Sequence, residues 1–245
     1  GLEAVRAVRD GLGNLRDTEA GVLVDLLLSL RDVGAWGDIN DLVEMMPRAI
    51  AATVLVQEQY GMALNRAGRP DDAVRVLQQV LDRAGPSSET FGLLGRVYKD
   101  QWRKAAEAAD SLRAAGYLDR AIEIYRRGFM ADWRDAYPGI NLATLLRLRN
   151  ADDPELVEIL PVVAYANKRR SAAADYWDHA TALELAYLQG DHAEVRAALT
   201  RALTGDDIEP WKRDTTINNM RLHLDHGHVS DRDRDILMEV IAALS

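Results

Sequence analysis

Gly61 and Gly95 stand 34 positions apart, at the same place in two helical patterns. In "QEQYGMALNRAGRPDDAVRVLQQVLDRAGP", Gly61 is followed by Leu64, Ala73 and Leu77, and the run closes at Gly85-Pro86. After Gly95, Tyr98 falls at the offset that Leu64 holds after Gly61. A small residue recurring at this spacing lets two helices approach closely once per unit, which restricts the chain to an array of stacked helix pairs. The breakers agree: Gly34, Gly37, Pro47, Gly68, Pro70, Gly116, Pro138-Gly139, Pro154, Gly190, Gly205, Pro210 and Gly227 punctuate segments of helical length. Between them apolar residues return every three or four positions, and alternating β-branched runs are few.

The 34-residue period is that of the tetratricopeptide repeat. The expected fold is all-α, a tetratricopeptide-like α-solenoid of about six antiparallel helix pairs. Residues 18–33 pair with 36–46, and the Gly61 run forms the next pair. After Tyr98 the register breaks. Ala121 is taken as the equivalent of Ala73, which predicts lengthened helices over 88–115 and 117–131. Further pairs are 138–150 with 153–170, 172–189 with 191–204, and 210–226 with 231–244. In such an array the first, or A, helix of each pair lines the concave side.

Composition removes several functions. A formal charge of −9 and a pI of about 5.1 argue against a nucleic-acid or anionic-membrane partner, either of which needs a basic face. Arg126-Arg127 and Lys168-Arg169-Arg170 read as solvated helix ends. The chain has no cysteine, which excludes disulfides, thiolate metal sites and cysteine nucleophiles and suits a cytoplasmic location. The longest apolar run, "GVLVDLLLSL", contains Asp25 and is too short to span a bilayer. Gly1 in place of an initiating Met predicts a fragment of a longer protein. Walker, Rossmann, nucleophile-elbow and zincin motifs are absent, so neither an enzyme nor a cofactor is expected. "HLDHGH", with His223, Asp225, His226 and His228, follows no metal-ligand spacing and reads as a helix end capped by Gly227. His179 and His192 read as surface or turn residues, and Asp206-Asp207 as turn acids.

The A helices carry a second, polar pattern. Anchoring the repeat on Gly95 places Glu89, Gly92, Arg96 and Lys99 on the concave side. The next A helices add Asn141 and Thr144, with Tyr137 at the helix entrance, then Trp177, Thr181 and Glu184, then Trp211, Thr215 and Asn218. Hydroxyls, amides, two cations and aromatic edges suit an anionic or hydrogen-bonding ligand. The same groups also serve as solvated groove residues or local caps, and Trp177 and Trp211 as packing residues. Arg96 and Lys99, three apart, repel unless an acid or ligand compensates them, and Glu89 or Asp100 can supply the acid internally.

The stretches "SETFGLLGRVYKDQW", "YPGINLATLLRLR", "YWDHATALELAYLQGD" and "W…DTTINN" together resemble the tetratricopeptide region called the TRAF-binding domain of apoptosis signal-regulating kinases. The resemblance runs from about Glu89 to Asn219. It implies one α-solenoid domain over 1–245, with generic helical repeats at 18–86, family-like core repeats at 87–226 and a C-terminal capping helix at 227–245. In the animal kinases this region is a regulatory platform; bacterial relatives are associated with immune or signalling assemblies and nucleotide-like signals. The expected function is a non-enzymatic sensor holding a small anionic or nucleotide-like ligand in the groove. The alternative is a scaffold docking a peptide or protein partner there.

Overall fold

The computed structural model describes residues 1–170, 174–204, 208–227 and 229–245, and among them every regular element is helical. They form two compact units. The first, Gly1–Tyr117, holds α1 (Leu2–Gly11), a 3₁₀ turn at Leu15–Asp17, α2 (Ala20–Asp32), α3 (Trp36–Met45), α4 (Arg48–Ala51), α5 (Val54–Arg66), α6 (Pro70–Ala84), α7 (Ser88–Glu107) and the first turns of α8 (Ser111–Ala131). The second, Leu118–Ser245, holds the rest of α8, then α9 (Ala136–Arg149), α10 (Glu155–Arg170), α11 (Tyr176–Leu188), α12 (His192–Leu203), α13 (Pro210–His226) and α14 (Asp231–Leu244).

Local chemistry sets most helix ends. Pro70 and Pro210 open α6 and α13, where the missing N–H has no intrahelical partner to lose. Asp135, Asp191 and Ser230 accept backbone N–H bonds at the starts of α9, α12 and α14. Asp175 and Asp178 form a reciprocal capping box on α11. The turns after α5 and α11 place Gly68 and Gly190 at φ of 80° and 74°, a conformation that a Cβ disfavours.

The repeat glycine does what its spacing predicts. A Cβ on Gly61 would lie 2.7 Å from Leu77 Cγ, so the absence of a side chain there lets α5 and α6 approach this closely at that point. Gly139 plays the same part in the second unit, where a Cβ would fall 2.6 Å from Val163 Cγ2 and 2.7 Å from Phe129 Cε2. Leu23, Leu27, Leu30, Ile39, Leu42 and Val56 form one core of the first unit. Leu183, Val195, Leu199, Met220, Ile236 and Val240 form one of the second.

The lengthened pair needs correction. The break predicted at Gly116 lies at Ala108–Asp110 instead, so α7 ends at Glu107 and Gly116 is inside α8. Ala109 adopts φ of 55°, the only non-glycine residue with positive φ among those described. The Asp110 N–H closes α7 on the Ala105 carbonyl at 2.9 Å, and the Asp110 carboxylate accepts the Arg113 N–H at 3.1 Å. A cap of this kind lets alanine occupy a position glycine usually fills, while Gly116 has open space around it and is simply tolerated. Two helices also lie outside the expected pairs, α1 and the single turn α4. α1 is tied to α3 by Arg6 and Arg9, which meet Asp38 at 2.9 and 2.8 Å. Residues 172–173, expected to start a helix, lie outside the described residues, as do Gly205, Asp206, Asp207 and His228.

Candidate functional site

In the first unit the candidate row sits on α7. Glu89 is exposed, Arg96 half-buried and Lys99 buried. The Arg96 guanidinium lies 3.5 Å from Asp100, and the Asn65 amide of α5 donates to the same carboxylate at 2.7 Å. Burial alone pushes the Asp100 carboxyl up. The charges of Arg96, Lys99 and Arg103 and the Asn65 hydrogen bond outweigh it and hold the group below the ordinary carboxylate range. Asp100 thus supplies the internal compensation for the two predicted cations.

One turn into α7, buried Thr90 donates to Glu58 of α5 at 2.5 Å. Burial raises the Glu58 carboxyl, and the Thr90 bond only partly opposes it. α5 and α7 are successive A helices, so Thr90–Glu58 and Asn65–Asp100 are polar rungs between neighbours.

The second unit repeats this device with different residues. Thr144 of α9 donates to Glu184 Oε1 of α11 at 2.5 Å, and Asn219 of α13 donates to Glu184 Oε2 at 3.3 Å. Thr144 and Glu184 are 1% and 4% exposed, so one buried carboxylate joins three A helices. The Tyr176 hydroxyl donates to Thr216 Oγ1 at 2.8 Å, a further rung from α11 to α13. Burial lifts the Tyr176 phenol above its ordinary range, against the Thr216 bond. Asn141 and Thr215 are buried and bond back to carbonyls of their own helices, those of Tyr137 and Trp211, at 2.9 and 2.8 Å. Thr181 and Asn218 are half-buried.

The aromatic candidates mark equivalent positions, each the second residue of an A helix: Tyr137 on α9, Trp177 on α11 and Trp211 on α13. Tyr137 meets Tyr125 edge-on at 6.2 Å, and the Trp177 and Trp211 rings are 5.7 Å apart. The second helices carry rungs of their own, but ionic ones. Arg126 of α8 grips Glu155 of α10 through two bonds of 2.9 and 2.7 Å, and Arg196 of α12 grips Glu239 of α14. His192, expected at a turn or surface, opens α12 and meets Asp233 at 2.7 Å. His223 is buried with its ring 4.6 Å from that of Tyr187, whose phenol burial pushes up to about 12.

The sequence reading set Lys99, Asn141, Thr144, Glu184 and Thr215 on a groove-facing side, and all five are buried. Thr216 and Asn219 make cross-helix bonds, each one residue after a position, Thr215 or Asn218, that the sequence set toward the groove. One residue is about 100° of helix rotation, which separates facing a neighbour from facing along one's own axis. An acid on one A helix with a threonine or asparagine 32 to 40 residues away, as in Glu58–Thr90 and Glu184–Thr144, is the signal that would have found them.

The model of the MAP3K TRAFs-binding domain matches residues 2–238. The resemblance therefore reaches well before Glu89, into helices read from sequence as generic repeats. The chain is 29% identical over 221 residues to the mitogen-activated protein kinase kinase kinase nsy-1 of Caenorhabditis elegans, covering 80% of this chain and 14% of that protein. It is 29% identical over 204 residues to mouse mitogen-activated protein kinase kinase kinase 15, covering 78% and 15%. This chain thus spans about a seventh of the length of these relatives. Among solved structures, a thermophilic tetratricopeptide-repeat protein of Thermus thermophilus superposes with a TM-score of 0.58 at 16% identity, over 83% of this chain and all of that one. The fold is thus that of a tetratricopeptide-like α-solenoid. Among the described residues no helix is long and apolar enough to cross a membrane.

Proposed function

The chain belongs to the MAP3K TRAFs-binding domain family, and from that premise we propose that it is a non-enzymatic docking module for a protein partner, a TRAF adaptor being the first candidate. The observation that carries this reading is the family match over residues 2–238, which takes in helices of both units. The buried rungs support it. Thr144, Glu184 and Asn219 spend hydrogen bonds between helices, which stiffens an array that presents surface. The test is biolayer interferometry of the chain against a purified TRAF adaptor. Saturable binding at micromolar concentration or tighter is expected, and no response up to about 100 μM overturns the proposal.

A second reading keeps a small anion on the α7 row, beside Arg96 and Lys99. Its motive is the spacing of Arg96, Lys99 and Arg103 along one helix, where Asp100 and Glu107 lie 3.5 and 3.7 Å from Arg96 and Arg103. Asp100 and Asn65 already occupy part of that row, which ranks this reading below docking. Native mass spectrometry of the chain purified from cells tests it: a co-purified anion lost in Arg96→Ala supports it, and bare protein removes it.

A further inference from the structure

Three features of α10 point outward together. Val157 and Tyr165 are 78% and 53% exposed, and Pro161, midway between them, is exposed as well. At spacings of four residues these side chains line one stripe on the solvent face, opposite buried Leu156, Ile159, Val163 and Ala166. Pro161 has no N–H to give the preceding turn, a loss that is least costly where water replaces the bond. Apart from the Tyr165 hydroxyl, which accepts from Arg169 at 3.5 Å, this is an exposed apolar run two turns long, an unusual surface for a helix whose other face is already packed.

The charges around the stripe say what fits it. Exposed Asp152 and Glu158 lie toward the amino-terminal end, and exposed Lys168 and Arg169 toward the carboxy-terminal end. Such a stripe is complementary to itself run backwards. We propose that α10 pairs antiparallel with α10 of a second copy of this chain, about a two-fold axis at Pro161. Val157 of one copy then packs beside Tyr165 of the other, and the acidic end of each helix meets the basic end of its mate. Two antiparallel helix dipoles add to the attraction. A two-fold interface of this kind uses the same patch twice and closes on itself. One helix seam buries less than the roughly 800 Å² per partner of standard interfaces, so the dimer is weak. It forms or fails independently of any TRAF partner.

Sedimentation velocity of the whole chain from about 5 to 500 μM, in low salt, reads the equilibrium. The expected result is a monomer that becomes a dimer across this range. Val157→Lys should abolish the dimer. Glu158→Lys alone, or Lys168→Glu with Arg169→Glu alone, should weaken it at least tenfold by setting like charges opposite each other. Mixing those two variants should restore it, because both charge contacts become complementary in the mixed pair. A chain without cysteine adds a direct readout. Pro161→Cys should give a disulfide-linked dimer on mild oxidation, since the axis sets position 161 against itself, while Asp71→Cys on α6 should not. A monomer at every concentration overturns the proposal. So does a dimer that ignores Val157→Lys, or charge variants that mixing does not rescue. Should a charge variant fold poorly, the Pro161→Cys crosslink decides alone.

Discussion

Replacing Thr144 with Val removes one donor from a carboxylate that has almost no water. Glu184 is 4% exposed and accepts bonds of 2.5 Å from Thr144 and 3.3 Å from Asn219. The substitution removes the shorter of these two bonds, and the bond from Asn219 is near the geometric limit. A hydrogen bond to a charged group contributes about 1.5–3 kcal/mol, so a loss of about 2 kcal/mol is expected. For a chain of this size that lowers Tm by about 4–8 °C. Glu184→Leu removes the charge together with its need for donors. The Thr144 hydroxyl can then turn to a carbonyl in its own helix, as Thr215 does. The double variant should therefore lose about 1–2 kcal/mol less than the sum of the singles. Urea unfolding followed by far-ultraviolet circular dichroism measures all four corners of the cycle. A Thr144→Val loss under about 0.5 kcal/mol, or singles that simply add, would refute the rung as a stabilising contact.

The two kinds of glycine should part company. Gly61→Ala sets a Cβ 2.7 Å from Leu77 Cγ and should cost about 1–3 kcal/mol, whereas Gly116→Ala meets open space inside α8 and should stabilise by about 0.5–1 kcal/mol, both read from thermal melts. Glu58 supplies a pH test. Burial raises its folded carboxyl above the unfolded one, so the folded state binds the proton more tightly, and stability falls as pH rises from the unfolded value through the folded one. Glu58→Gln should remove that slope and match or exceed wild type at pH 7, and a wild-type stability flat across that window would contradict it. Asp38 has the opposite sign. The Arg6 hydrogen bond leads the terms holding its carboxyl low, so the α1–α3 tie persists above the ordinary carboxylate range and is lost as pH falls through the lowered value. Limited proteolysis after α1 should accelerate there, and equal cleavage rates at pH 7 and pH 3 would count against it.

Much of the architecture was legible because it is written in short-range chemistry. Proline at Pro70 and Pro210, aspartate and serine at the caps and glycine at Gly68 and Gly190 act over a turn or less, so their spacing along the chain already decides where helices start and stop. Gly61 was legible for a related reason. The repeat fixes which residue lies opposite it, and Leu77 was in place. The break near Gly116 was misplaced because a helix end is a competition. Asp110 gains a capping bond, and the turn closes on Ala105 even though alanine must take a positive φ. Gly116 loses that competition, since a glycine inside a helix costs only about 1 kcal/mol.

The candidate site divides along the same line. Periodicity set Lys99, Asn141, Thr144, Glu184 and Thr215 on one side of their helices, read from sequence as the concave groove, and so gathered polar groups there. It could not say what they would meet. Thr144 and Glu184 are 40 residues apart, and whether they bond to each other or to a ligand depends on how closely α9 and α11 approach. Only the tertiary structure decided that. α9 and α11 approach closely enough for Thr144 to reach Glu184 at 2.5 Å, and the Glu184 carboxylate, 4% exposed, is left to neighbouring side chains rather than water.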